Sequence, residues 1–279
     1  MKRIVVSGLL VVAVFFGVML VTGCGSTSTS TLYDTPNWMP DGRIICGKLV
    51  LTTSQQLYGG GISESHSYVA AFYPSGTGEV NLFEGWVGDG VNVITCSPIG
   101  EMLAGIGDGQ IIISDYNGNK TTVPNTSNVQ YLDWSPDATK LVFSDTSRDL
   151  YVINRDGTGK TKIATSSEAV AWRVGEKIAY GYLYTINSDG SDNQYLVDGG
   201  KPQIMNSGKI IYYADLISPG KYKIKSIYPN GTDESEVLVS YDRNTLMLSF
   251  DNTKIVGGVT GDTGIWLMNI DGTGYTKIR

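Results

Sequence analysis

Short apolar stretches recur along the chain, and each ends at a turn that contains a glycine. A branched aliphatic residue lies seven positions before each glycine, and a polar residue or a tyrosine lies three positions before it. An earlier stretch in each unit supplies another aliphatic residue, from Ile44 in the first unit to Ile255 in the last. The six turn glycines, separated by 42, 39, 33, 41 and 41 residues, are Gly76, Gly118, Gly157, Gly190, Gly231 and Gly272. The pattern predicts six copies of one unit built from short β-strands.

A period of about 40 residues made of short strands is typical of a β-propeller blade. We therefore predict an all-β fold, a six-bladed β-propeller whose blades are four-stranded antiparallel sheets. The innermost strand comes first in each unit and the outermost comes last, so the ring should close at a blade boundary. The step of 33 residues predicts that blade four is shorter than its neighbours.

A proline turn leads the first units and connects the innermost strand to the second. It reads Asn-Trp-Met-Pro-Asp-Gly at Asn37–Gly42, Cys-Ser-Pro-Ile-Gly at Cys96–Gly100 and Asp-Trp-Ser-Pro-Asp-Ala at Asp133–Ala138. Proline ends a strand because it has no N–H to donate to the neighbouring strand. These residues resemble the TolB-type (WD40-like) propeller repeat, and the agreement is best over Asp133–Ile163. The resemblance covers about 35–279, and it implies the propeller fold and a role as an interaction platform near the cell envelope.

The residue after the inner-strand Asn or Asp is a tryptophan in blades one and three. Trp38, Trp134 and Trp172 share this position, and we predict that they fill the seams between blades. Cys96 takes the equivalent position in blade two, and Cys46 lies in a column that is otherwise aromatic. Both cysteines are predicted to be small buried apolar residues. A disulfide between them is the alternative.

The N-terminus has the pattern of a bacterial export signal. Met1–Arg3 is basic, Ile4–Val21 is almost continuously apolar, and small residues precede Cys24. This order resembles the lipobox, in which the cysteine receives the lipid. We predict a lipoprotein signal peptide over 1–23 and a lipid-anchored, Ser/Thr-rich tether over 24–34. An uncleaved membrane anchor is the alternative, because the apolar stretch is nearly long enough to span a bilayer.

The lipobox resemblance implies an exported protein that is held at a membrane through Cys24. Two or more acyl chains, such as palmitate, make this kind of anchoring stable. Gly25 follows the cysteine where an aspartate could retain the protein in an inner membrane. In a diderm cell we therefore expect the outer membrane, on its periplasmic side. In a monoderm cell we expect the outer face of the cytoplasmic membrane.

Residues that could carry catalysis or bind a metal are sparse. His66 is the single histidine, and the sequence contains no Gly-x-Ser-x-Gly elbow. One histidine and two cysteines expected to be buried do not favour a zinc site. We predict no catalytic residues and no metal or cofactor, apart from a possible Ca²⁺. The mature chain keeps 19 of its 21 basic side chains against 27 acidic ones, a net charge of −8 that disfavours nucleic acid.

Most of the negative charge falls in loops on one face of the predicted ring. This face carries the loops between second and third strands and between successive blades, with eleven acidic and four basic residues. Three segments stand out there, at Leu51–Ser67, Phe83–Val91 and Ala214–Tyr222. The excess of acidic residues predicts that this face attracts a basic protein segment or a cation such as Ca²⁺. The alternative is that the charges only keep the loops solvated. The candidate binding rim consists of Tyr58, His66, Trp86, Asp89, Asp108, Asp149 and Asp262.

These features together predict a monomeric, lipid-anchored propeller that is a non-catalytic protein-binding platform for an envelope or surface protein. One alternative is a carbohydrate-binding or carbohydrate-active propeller, a hydrolase or lyase, with its site in an acidic central funnel. Such an enzyme should show two funnel carboxylates within about 5–10 Å of each other, one with a raised pKa. A structural or ligand-sensing surface lipoprotein is the third reading.

Overall fold

A computed structural model describes residues 27–54, 62–84, 94–165, 168–218, 221–241, 247–259 and 262–279. Blades one and two contain β1 Thr27–Trp38, β2 Ile44–Ser54, β3 Ile62–Phe72, β4 Val80–Glu84, β5 Ile94–Cys96, β6 Met102–Gly107, β7 Gln110–Asp115 and β8 Lys120–Thr122. Blades three and four contain β9 Val129–Trp134, β10 Lys140–Asp145, β11 Leu150–Asn154, β12 Thr161–Ala164, β13 Val170–Ala171, β14 Lys177–Tyr180, β15 Tyr184–Asn187 and β16 Gln194–Tyr195. Blades five and six contain β17 Gly200–Ile204, β18 Ile210–Ser218, β19 Lys221–Ile227, β20 Ser235–Tyr241, β21 Met247–Leu248, β22 Lys254–Val259, β23 Asp262–Asn269 and β24 Thr276–Lys277. Within these residues no helix is long and apolar enough to cross a membrane.

The strands form six four-stranded antiparallel sheets, and each sheet uses four consecutive strands. The first strand of each blade lies at the centre of the ring, because first strands contact one another in succession from β21 through β1, β5, β9 and β13 to β17. The chain is therefore a six-bladed β-propeller, as the repeat predicted. Blade one packs directly against blade six through β1, β22 and β23, so the ring closes at a blade boundary.

Six clusters of buried apolar side chains fill the seams, one between each pair of neighbouring blades. Trp38, Trp134 and Trp172 are buried in three different clusters, which confirms their predicted role. Cys46 and Cys96 are also buried there and are not disulfide-bonded. Both cysteines thus contribute to the seams as small apolar residues.

Polar contacts strengthen the closure between the last blade and the first. Arg279, the last residue of the sequence, donates from Nε to Glu79 at 3.1 Å, and its guanidinium carbon lies 4.3 Å from the centre of the Phe72 ring. Tyr33 also donates to Glu79, at 2.9 Å. Burial, together with the Glu79 carboxylate, raises the pKa of Tyr33 to about 12. Apolar packing and this cluster therefore join the two ends of the ring.

In the proline turn of blade three, the side chains of a serine and an aspartate form hydrogen bonds with the backbone. Ser135 Oγ accepts from the Lys140 N–H at 2.8 Å and donates to Asp137 Oδ1 at 2.7 Å. Asp137 in turn accepts from the Thr139 N–H at 3.0 Å. Side chains thus satisfy backbone groups of the turn that no strand could pair. The same contacts recur in blade six, at Ser249, Asp251, Thr253 and Lys254.

The turn glycines close the hairpin between third and fourth strands. The φ angles of all six lie between 78° and 87°, a left-handed conformation that glycine adopts without a Cβ clash. The glycine N–H donates to the carbonyl three residues earlier, at 2.8 Å from Gly157 to Asn154. The Asn154 side chain closes the same turn by donating to Thr158 Oγ1 at 2.9 Å. These contacts explain why one column is glycine and the other is mostly polar.

Blade one and blade five have longer strands than the sequence predicted. The expected tether over 24–34 overlaps β1, which begins at Thr27 and pairs with β2 from Thr27↔Ser54 onward. The expected loop Leu51–Ser67 lies largely in β2 and β3, and the expected loop Ala214–Tyr222 lies largely in β18 and β19. Alternating Ser, Thr and Val residues suit a pleated strand that faces solvent, which explains the difference.

Candidate functional site

A cleft of about 610 Å³ opens on the loop face of the ring, over blade four. Blade four is short, as predicted: β13 has two residues and β14 four, and the link from β14 to β15 is the turn Gly181–Leu183. The neighbouring strand β18 has nine residues. A low blade beside a tall one leaves a notch, and the residues that line it come from blades three, four and five. They are Tyr131, Glu168, Ala169, Gly181, Tyr182, Asp198, Gly199, Gly200, Lys201, Tyr213, Ala214, Asp215 and Tyr222.

Tyrosine side chains form the apolar part of the cleft. Tyr182 lies at the apex of the β14–β15 turn and is 54% exposed, and Tyr131 at the start of blade three is 44% exposed. Leu183, the residue after Tyr182, is fully buried and has a φ of 68°. Its packed side chain fixes the conformation of the turn, and the Tyr182 ring stays exposed to solvent. Tyr213 and Tyr222 meet edge to face, with their ring centres 5.6 Å apart.

The polar part of the cleft consists of three carboxylates and one lysine. Glu168 forms an ion pair with Arg148 at 3.0 Å, and Asp215 with Lys225 at 3.6 Å. Both carboxylate side chains remain well exposed, at 42% and 66%. Asp198 accepts from the Tyr195 hydroxyl at 2.9 Å. The Lys201 ammonium lies 5.6 Å from the centre of the Tyr213 ring. The lining therefore combines aromatic faces with an excess of negative charge.

The predicted rim residues that the structure describes lie outside this cleft. His66 lies within β3 and not in a loop, and its Nδ1 is 2.8 Å from Glu84 Oε1. Asp149 forms an ion pair with Lys162 at 2.7 Å, and Asp108 lies in the turn between β6 and β7 with a φ of 49°. Asp262 is the first residue of β23. Cys24, Tyr58, Trp86 and Asp89 lie outside the described residues.

The tyrosines of the cleft are the candidates that the sequence argument missed. Glu168, Asp198, Lys201 and Asp215 are among the eleven acidic and four basic residues that the repeat predicts on this face. A signal was present, because the short step of 33 residues and the tyrosines of blades four and five fall in the same region of the chain. The short repeat predicts that the strands of blade four are shorter than those of its neighbours. It does not show which neighbouring side chains line the notch that results.

A second, smaller cavity of about 70 Å³ lies in the central channel, near the proline-turn end. Asp133 and Arg173 are its charged lining residues. Asp133 joins three blades: Oδ1 accepts from the Trp134 N–H at 2.8 Å and from Thr95 Oγ1 at 3.3 Å, and Oδ2 accepts from the Trp172 N–H at 2.9 Å. Burial outweighs these hydrogen bonds and raises the pKa of Asp133 to about 6.

The enzyme alternative required a pair of funnel carboxylates. Among the described residues that line the channel cavity, Asp133 is the one carboxylate, and its three hydrogen bonds give it a structural role in joining blades. Across the described part of the chain, no group of three or more His, Cys, Asp or Glu side chains is arranged to hold a metal ion. Calcium binding therefore stays a prediction from the sequence.

Comparisons with known proteins show likeness at the level of fold. No protein-family model matches the chain, and no curated protein matches it. A solved oligogalacturonate lyase in complex with manganese is 14% identical, with a TM-score of 0.55, over 89% of this chain and 78% of that chain. A chain of the nidogen/laminin complex is 9% identical, with a TM-score of 0.57, over 87% and 90% of the two chains. A putative TolB from Agrobacterium tumefaciens is 15% identical, with a TM-score of 0.49, over 78% and 91%.

The class of protein is therefore a six-bladed β-propeller, as the sheet topology shows, and the solved oligogalacturonate lyase is similar to it in fold. At these identities, the likeness extends to the fold and not to an activity.

Proposed function

We propose that this chain is a lipid-anchored binding propeller that recognises a basic segment of an envelope or surface protein. The tyrosine-lined acidic cleft over blade four carries the proposal. Its volume of about 610 Å³ lies within the usual range of about 300–1,000 Å³ for binding pockets. Exposed aromatic rings that line a cleft are frequent energetic centres of protein recognition.

The chemistry of the cleft favours lysine or arginine side chains as ligands. A cation above the face of a tyrosine ring is attracted to it, most strongly where water is excluded. The carboxylates of Glu168, Asp198 and Asp215 are close enough to the rings to line the same cleft, and they add long-range attraction. Tyr182 is the residue that a partner would meet first, because it stands at the apex of its turn.

The anchor and the cleft belong to the same end of the molecule in this proposal. Cys24 lies three residues before Thr27, so the lipid is attached within about 10 Å of the start of β1. That start pairs with the end of β2, and the end of β2 pairs with the beginning of β3. In blade four, the corresponding link between the second and third strands carries Tyr182. The cleft therefore faces the membrane, and its partner is a segment close to the membrane surface.

Affinity capture with the full chain as bait tests the binding function. We expect a partner with a basic segment, bound more weakly as salt rises, and lost with Tyr182→Ala or Asp198→Asn. Tyr73→Ala and Glu101→Gln alter an exposed tyrosine and an exposed acid on the proline-turn and glycine-turn face, and both should keep the partner. A partner held equally by all variants would contradict the cleft as its site.

Carbohydrate binding is the second candidate, because a flat exposed tyrosine beside hydrogen-bonding side chains also suits a sugar ring. Binding of a neutral glycan that Tyr182→Ala abolishes, with little effect of salt, would favour this candidate over the protein partner. The two candidates thus differ in the salt dependence of binding at one shared residue.

Labelling with a palmitate analogue tests the anchor separately. The wild-type chain should take up the label and fractionate with membranes, and Cys24→Ser should do neither. Label on the Cys24→Ser chain would contradict the lipobox reading without bearing on the cleft.

A further inference from the structure

Arg173 is the one charged residue in a column of the repeat that is serine or methionine in the other five blades. It follows Trp172 at the end of the blade-four inner strand. Blades two, three and six have a serine at the corresponding position, and each serine accepts backbone N–H groups of its own turn. Arginine cannot accept a hydrogen bond, so Arg173 cannot close its turn in this way.

The Arg173 side chain crosses the channel to blade six. Its Nη1 donates to the Leu248 carbonyl at 2.9 Å, and its guanidinium carbon lies 4.1 Å from the centre of the Phe250 ring. Burial lowers the pKa of Arg173, and the nearby charged groups, Asp133 and Asp251, oppose that effect. The guanidinium is thus fixed in one orientation by a hydrogen bond and an aromatic face.

Two nitrogens of this fixed guanidinium have no hydrogen-bond partner. Nε and Nη2 are both buried and unpaired, although Arg173 lines the 70 Å³ channel cavity. These nitrogens form one edge of the guanidinium, and a carboxylate binds such an edge through two parallel hydrogen bonds. A buried donor without a hydrogen bond is unfavourable in free energy. A ligand that accepts from both Nε and Nη2 therefore gains affinity, because the two donors are already oriented before it binds.

The nearest carboxylates of the protein are engaged elsewhere. Both oxygens of Asp133 accept hydrogen bonds from Thr95, Trp134 or Trp172. Asp251 accepts from Ser249 and Thr253 within its own turn. Among the ion pairs of the described residues, none involves Arg173.

We propose that Arg173 binds the carboxylate of a ligand at the proline-turn end of the channel. The ligand presents a planar monoanion, because the cavity is small and the nearby Asp133 disfavours a second negative charge. Asn37, Thr95 and Gln203 also line the cavity, so its wall near the guanidinium is polar and carries no further charge. This site lies at the opposite end of the ring from the tyrosine cleft and is independent of the proposed protein-binding function.

Arginine-selective ¹⁵N labelling of the full chain tests the site, with acetate as the probe. One Nε–H resonance should shift saturably in the millimolar range, and Arg173→Gln should remove that resonance. Arg173→Lys keeps the positive charge but lacks the two parallel N–H donors of the guanidinium. Calorimetry should therefore show that the affinity for acetate is at least about tenfold weaker. Arg155→Lys, which alters an exposed arginine whose Nη1 contacts Met102 Sδ, should leave the affinity unchanged.

An Nε–H resonance of folded wild-type protein that does not respond to acetate would overturn the proposal, whatever the variants do. Equal acetate affinity in wild type and Arg173→Lys would overturn it as well. Two further pairs of probes then identify the source of the carboxylate. A tripeptide with a free C-terminus is compared with its amide, and a hexuronic acid is compared with its methyl ester.

Discussion

Blade three and blade four share one four-stranded plan, but they differ in how completely they follow the repeat. Blade three has the full proline turn, closed by Ser135 and Asp137, and an inner strand of six residues. Blade four has an inner strand of two residues, and Arg173 replaces the turn serine. In the complete blade, the serine and the aspartate of the proline turn satisfy the turn itself. The incomplete blade leaves a notch on one face and an unpaired guanidinium edge on the other.

The two blades also use their tryptophans differently. Trp134 Nε1 donates across the seam to the Thr95 carbonyl of blade two at 3.3 Å. Trp172 Nε1 donates to the Gly175 carbonyl, three residues further along its own turn, at 3.1 Å. Thr95 is buried and Gly175 is exposed. The first hydrogen bond therefore joins blades, whereas the second closes a turn that water can reach.

Trp134→Ala should have the largest effect on stability. Deleting a buried tryptophan side chain costs about 3–5 kcal/mol, and here it also removes the hydrogen bond across the seam to the buried Thr95 carbonyl. Trp172→Ala should cost about 1 kcal/mol less, because water can replace the indole at Gly175. Urea unfolding of both variants measures the difference. Equal losses would show that the hydrogen bond across the seam adds nothing to packing, and Trp134→Phe, which keeps most of the apolar volume, is the control.

Asp133→Asn should change how stability depends on pH. The folded-state pKa of about 6 lies above the ordinary value of 3.8, so the folded protein holds this proton more tightly than the unfolded chain does. The contribution of Asp133 to the free energy of unfolding is then greatest below about pH 4 and falls by at most about 3 kcal/mol as the pH rises past 6. Asparagine does not titrate, and its amide nitrogen cannot accept from the Trp172 N–H.

Unfolding of wild type and Asp133→Asn at several pH values between 4 and 7.5 provides the measurement. The stability advantage of wild type should be largest at the acidic end and should shrink toward neutral pH. Other carboxylates titrate in both proteins, so their contributions cancel in the difference. A difference that stays constant with pH would mean that Asp133 keeps an ordinary pKa in the folded state.

The sequence predicted the parts of this molecule that repeat. The glycine column, the polar column and the tryptophan position each impose one local geometry, and six copies make that geometry visible without a structure. Strand length was harder to predict, because the Ser/Thr-rich residues from Thr27 onward suit both a solvated linker and a solvent-facing strand. The cleft was not predictable from the repeat, since Tyr131, Tyr182 and Tyr213 come together only through the relative heights of three blades.

Tyr182→Ala should have the smallest effect on stability and separates function from folding within blade four. Tyr182 is 54% exposed, so its removal should change the free energy of unfolding by less than about 0.5 kcal/mol. Tyr180, two residues earlier, is buried and donates to Asn193 Oδ1 at 2.8 Å, so Tyr180→Ala should cost about 3 kcal/mol or more. Urea unfolding of the two variants makes the comparison. A large loss in Tyr182→Ala would mean that this ring supports the short blade, and the cleft would then lose its main candidate for partner recognition.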